Sequence, residues 1–228
     1  MGHLLDRRLD PQPGECEIWT LDLISDDREL ALVTELGLLP DGTGWFWLLL
    51  WSNEHGYVAV VDDELRLPKP PSMEIRASGL WAEFCVQAPD DHFTVDVEAF
   101  GVGLDDPREL LGSAYGIRVP IATELSWDTV GPLTGDESTT TQPARVHGEI
   151  LLGDATLEIL GAGWRSHWRG EGRPSLRACG ASSTNEPAVF GGSRETDDEE
   201  SIVLDAPVPA GANHQLVAVG PAMFWRRS

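Results

Sequence analysis

The stretch Gly163-Trp164-Arg165-Ser166-His167-Trp168-Arg169-Gly170 gathers two guanidinium groups, an imidazole and two indoles within eight residues. On an extended strand successive side chains point to opposite faces, which puts Arg165, His167 and Arg169 on one side and Trp164, Ser166 and Trp168 on the other. An arginine and a histidine facing a cavity can bind a carboxylate or an enolate and move a proton, with indoles as an apolar wall. Arg165 and His167 are therefore the candidate catalytic residues, and Trp164 and Trp168 candidate ligand contacts. The same residue types also serve structure alone, since an arginine stacked on tryptophan in a barrel mouth contributes about 0.5–2 kcal/mol.

A second set lies in His92-Phe93-Thr94-Val95-Asp96-Val97-Glu98-Ala99, whose strict alternation places His92, Asp96 and Glu98 together opposite Phe93, Val95 and Val97. If that polar face lines a cavity, it supplies a general acid or base, with His92 and Glu98 as ligand contacts; the plain alternative is a solvated strand face. His147 opens the strand preceding the Trp164 segment and is a further cavity candidate. Nine tryptophans stand beside only two tyrosines, and such rings fill a barrel or line an apolar pocket equally well. Trp47 is counted with Trp164 and Trp168 among the ligand contacts.

Other chemistries lack their residues. The six histidines include no HxH or HxxxH pair, and Cys16, Cys85 and Cys179 form no CxxC, so no metal site is expected. No serine occupies a G-x-S-x-G elbow, and Gly101-Val102-Gly103 lacks the third glycine, the helix start and the acid of a dinucleotide site. No cofactor is expected.

The elements that must position these groups read as strands. Alternating or apolar runs fall at residues 17–24, 28–36, 44–51, 73–77, 80–87, 92–99, 117–127, 145–152, 155–160, 201–205 and 215–225. The run 44–51 is apolar on both faces and is expected to be buried on both sides. The best helix candidate, 105–111, has Asp106 as cap and Pro107 at the first helical position. Between Val130 and Pro143 periodicity is lost, which marks an interior linker. The expected domains are 1–130 and 131–228.

Asp and Glu number 38 against 16 Lys and Arg, a formal charge of −22. Such a field repels phosphate backbones and anionic headgroups, so nucleic acid is not an expected partner. The longest apolar block, 45–51, is about one third of a membrane span. An odd number of dispersed cysteines and the lack of an apolar run at the start of the chain lead to an expected cytoplasmic location. At 228 residues the chain buries roughly 70% of its unfolded surface and needs no metal or disulfide for stability.

The order of these signals resembles the tandem lipocalin-like superfamily that includes carotenoid 1,2-hydratase. The resemblance is carried by Gly44-Trp45-Phe46-Trp47, by Ile75-Arg76-Ala77-Ser78-Gly79-Leu80-Trp81-Ala82, by Asp91-His92-Phe93 with Glu98-Ala99-Phe100, and by Tyr115-Gly116-Ile117-Arg118-Val119-Pro120. In the second half, His147-Gly148-Glu149-Ile150 followed by residues 161–170 resembles the family stretch G-x-G-x-R-D-H-S-W-G. Where that pattern has an acid between Arg and His, this chain has Ser166, and Trp168-Arg169 stands where Ser-Trp is expected. The resemblance implies an all-β protein of two lipocalin-like halves in tandem that binds a lipophilic small molecule in an apolar cavity, with cofactor-independent proton-transfer, hydratase or isomerase chemistry. A non-catalytic β scaffold with a solid core is the alternative. A cavity of at least ~300 Å³ reached by Arg165 and His167 favours binding, whereas a solid interior with both on an outer face opposes it.

Overall fold

The computed structural model describes residues 6–9, 11–104, 116–135 and 138–171, and beyond them the backbone of five strands within 177–227. Runs of period two become strands because alternation lets one face desolvate while the other stays hydrated. They are β1 (Glu15–Ser25), β2 (Leu30–Leu38), β3 (Thr43–Ser52), β4 (Gly56–Arg66), β5 (Glu74–Ala77), β6 (Leu80–Ala88), β7 (His92–Leu104), β8 (Ile117–Thr129), β9 (Thr134–Gly135), β10 (Thr139–Leu152) and β11 (Ala155–Glu171). Five more follow: β12 (Arg177–Ala181), β13 (Pro187–Gly191), β14 (Ile202–Val203), β15 (His214–Val219) and β16 (Ala222–Arg227). The protein is all-β, and the helix candidate 105–111 lies outside the described residues.

The first eleven strands form one antiparallel sheet. Eight of them close into a partial, barrel-like ring in the order β4-β3-β2-β1-β11-β10-β8-β7, with β7 returning to β4. The two seams that join the early strands to the later ones are unequal. β1 and β11 pair from Glu15↔Glu171 to Ser25↔Gly161, whereas β4 and β7 meet only at Tyr57↔Leu104, Val58↔Gly103 and Ala59↔Val102. Below that contact the same edge of β7 pairs with β6, and β5 flanks β6.

Inside the ring Trp19, Leu21 and Leu23 of β1 meet Phe46, Leu48 and Leu50 of β3, Phe93, Val95 and Val97 of β7, and Leu125 and Trp127 of β8. Burying each of these large side chains contributes about 1.5–3 kcal/mol relative to exposure. Trp127 donates its indole N–H to the Asp22 carbonyl at 3.0 Å. Gly163 lies against the same carbonyl, where a Cβ would sit 1.9 Å from the oxygen. On β1, β2 and β3 the outer face is buried as well, through Ile18, Ile24, Val33, Trp45, Trp47 and Leu49. There β12 packs on β1 and β11, and β16 on β3. The run 44–51 is thus a strand buried on both faces, as its composition predicts.

Two sequence expectations change. β4 was absent from the expected strands, because its apolar stretch Val58–Val61 is short and acids follow it. The aperiodic stretch after Val130 connects β8 to β10, which pair directly from Ala144↔Thr129 to Leu152↔Ile121. Strands from both sides of residue 130 therefore share the ring, and the lost periodicity belongs to a strand connection inside one sheet. A second ring is not seen among the described residues.

Candidate functional site

Antiparallel register carries the chemistry of β11 to its neighbours. Trp19, His167 and Thr140 form one cross-strand row, and Leu21, Arg165 and Gln142 the next. All project into the ring, since they share the face of Leu21 and Leu23. One end of a largely apolar interior is therefore polar.

His167 Nε2 lies 2.9 Å from Glu17 Oε1, with the two side chains 2% and 0% exposed. The imidazole stacks on Trp19, centroids 4.6 Å apart and planes at 13°. Glu17 also accepts the Leu9 N–H at 3.0 and 3.1 Å on its two oxygens. Arg165, 2% exposed, stands 5.5 Å over the Phe93 ring, donates to Gln142 Oε1, and meets Asp6 Oδ1 at 3.3 Å. Asp6 in turn accepts the Asp90 N–H at 2.6 Å, and Gln142 donates to the carbonyls of Asp90 and Gly131 at 3.3 and 3.4 Å. Burial pushes the Asp6 carboxyl above its ordinary range, against the lowering effect of the Asp90 N–H and of Arg165. The same desolvation lowers Arg165, opposed chiefly by Asp6.

Residues 6–9 close this end of the ring. Besides the bonds from Asp6 and Leu9, Arg8 donates to the carbonyls of Pro68 and Ser72 at 2.8 and 2.5 Å. Beneath this strap, Trp19 Nε1, Arg165 Nε and Thr140 Oγ1 are buried with no hydrogen-bond partner. Thr129 Oγ1, on the same face of β8 as Trp127, is a fourth such atom, and Trp164 Nε1, on the opposite face of β11, a fifth. An unsatisfied buried polar group costs about 1–3 kcal/mol, and such groups are rare in native interiors. Three on adjacent rows mark a place for an acceptor.

The other expected contacts stand elsewhere. Trp164 and Trp168 occupy the opposite face of β11, where the Trp164 backbone N–H donates to Asp22 Oδ1 at 3.0 Å. Trp47 lies on the outer face of β3 and shares Glu35 Oε1 with Trp45, at 3.0 and 2.6 Å. His92 and His147 meet outside the ring on one carboxylate, Asp128, at 2.6 and 2.9 Å. The bond from His92, with that from His147, holds Asp128 below the usual carboxylate range. Glu98 is exposed and lines an outer cleft of about 580 Å³ with Trp81, Phe100 and Leu151. A second cleft, about 500 Å³, opens at the end of the ring away from the strap, beside His55, Val58 and Leu152. Neither cleft is lined by Arg165 or His167.

Glu17, Trp19, Gln142 and Asp6 were not among the expected site residues. Glu17 had a signal, being a carboxylate that shares with Glu15 the face that Trp19, Leu21 and Leu23 make apolar. Gln142 and Asp6 had none, since both sit in aperiodic sequence. Among the described residues no cluster of three or more His, Cys, Asp or Glu can hold a metal ion. No helix among them is long and apolar enough to cross a membrane. Chemically, Arg165 can hold an anionic or carbonyl oxygen, while His167, oriented by Glu17, can take or give a proton. Comparison with protein-family models, curated proteins and solved structures gives no match to this chain.

Proposed function

We propose that the protein binds a lipophilic small molecule by its polar head at the strapped end of the ring. The reading rests on three buried groups without partners on adjacent rows at that end, Trp19 Nε1, Arg165 Nε and Thr140 Oγ1. Arg165 holds the head group, Trp19 and Thr140 occupy its remaining lone pairs, and the apolar part lies against Leu21 and Phe93. His167, oriented by Glu17, transfers a proton without a cofactor, the hydratase- or isomerase-type chemistry implied by the resemblance to carotenoid 1,2-hydratase. In the same reading the eight-stranded ring is a lipocalin-like unit.

A non-catalytic scaffold with a solid core is the second reading, favoured by the dense packing of Trp19, Trp127, Phe46 and Phe93 and by the distance of both clefts from Arg165. Native mass spectrometry after exposure to a cell lipid extract separates the two. Binding predicts a retained mass on the parent that disappears in His167→Ala and in Arg165→Met, each checked for folding by circular dichroism. Bare spectra for all three proteins favour the scaffold.

A further inference from the structure

We infer that Asp6 is a built-in substitute for the ligand's own carboxylate, so that the ligand is a lipophilic carboxylic acid which binds by displacing residues 6–9 from the mouth of the ring. The inference rests on the binding reading above and adds the ligand's acidic group and the gate it must open.

The guanidinium of Arg165 is only partly used. One terminal nitrogen meets Asp6 Oδ1 at 3.3 Å, the other donates to Gln142, and Nε has no partner. Charge-assisted N–H to carboxylate bonds normally run about 2.7–2.9 Å, and the favoured arrangement is a fork in which both carboxylate oxygens are engaged. Asp6 does not make that fork: one oxygen meets a terminal nitrogen at 3.3 Å, and the other accepts the Asp90 N–H at 2.6 Å. A free carboxylate has no such tether and can engage Nε together with a terminal nitrogen. Its remaining lone pairs face Trp19 Nε1 and Thr140 Oγ1, the first of which can only donate. A carboxylate is a small acceptor-rich group able to satisfy such donors. Glu17 does not compete for Arg165, since it is engaged by His167 and the Leu9 N–H.

The strap itself is held by polar bonds. Its anchors are the Asp90 N–H on Asp6, two carbonyls on Arg8 and Glu17 on the Leu9 N–H. Leu9 and Arg8 are only half-buried and Arg7 is exposed, in contrast with the interior that they cover. Segments tied down by a few hydrogen bonds and little apolar contact open locally well before the fold does.

Calorimetric titration of the full chain with decanoate, and with 1-decanol as the uncharged control, tests the idea. Asp6→Asn keeps an acceptor for the Asp90 N–H but loses the charge, and is expected to bind decanoate about tenfold more tightly than the parent. Arg8→Ala frees the strap without touching Arg165, with an expected gain of about threefold. Adding Arg165→Met to Asp6→Asn abolishes decanoate binding, and decanol does not distinguish the variants. Equal decanoate affinity in the parent and in both folded single variants overturns the inference; should Asp6→Asn fail to fold, Arg8→Ala decides. A ligand retained from lipid extract by a protein that ignores decanoate overturns it too, while leaving the binding reading intact. Failure of both experiments removes both.

Discussion

Taking away Glu17 while keeping His167 deprives a buried imidazole of its 2.9 Å partner and the Leu9 N–H of both its acceptors. Urea unfolding is therefore expected to show a loss of about 3 kcal/mol for Glu17→Ala. The double change Glu17→Leu with His167→Leu is expected to cost less than the single one, because no polar group is left stranded by its partner. Trp19→Phe keeps a ring against His167 and deletes an unpartnered N–H. Its unfolding free energy is expected within about 1 kcal/mol of the parent, while ligand retention in native mass spectrometry falls. At this scale the sequence was half legible: alternation alone put Arg165 and His167 on one face, and that face is the interior. Their partners came from Glu15–Ser25 and from residues 6 and 142, whose proximity depends on register between distant strands, which no local pattern carries.

Across the outer surface, β6, β7, β8, β10 and β11 align Glu83, Asp96, Glu124, Glu149 and Glu158 in one continuous row of opposed carboxylates. Like charges directly opposite one another destabilise a sheet, by a fraction of a kcal/mol to about 1 kcal/mol per pair. Asp96 records the strain: burial first, then Glu124 and Glu83, raise its carboxyl above the ordinary value. A raised folded value means that the native state takes up this proton before the unfolded chain does. This contribution therefore grows as pH falls from neutral through the raised value, and is complete below the unfolded value of about 3.9. Asp128 has the opposite sign, since its lowered carboxyl stabilises the fold above the unfolded value and loses that contribution below it. Stability between pH 7 and 3 is expected to show the gain before the loss when followed by thermal melts. Glu124→Gln, at the middle of the row, is expected to stabilise by about 0.5 kcal/mol at pH 7 and by less in high salt. Strand existence was the legible part here, because hydration of one face leaves a period of two in the sequence. The row of acids was not, since His92–Leu104 and its neighbours show their acids separately and only pairing lines them up.

The ring as a whole consists of an early run, β1 to β4, and a later one, β7, β8, β10 and β11, held at one long seam and one short one. The short seam depends on Gly101, where a Cβ would lie 2.8 Å from Val58 Cγ1 and 3.0 Å from the Ala59 carbonyl. Gly101→Val is expected to cost about 2 kcal/mol by overpacking. Hydrogen exchange should then speed up at residues 57–59 far more than at residues 18–24. The all-β class followed from composition and turn spacing, whereas closure did not, because strand partners far apart in sequence leave no mark on one another. The long seam also has a price in time. About 130 residues lie between the end of β1 and the start of β11, on the order of ten seconds of synthesis at ~5–20 residues per second. Through that interval the nascent chain carries β1 as an open edge rich in Ile18, Trp19, Leu21 and Leu23, the kind of surface on which neighbouring chains on a polysome aggregate.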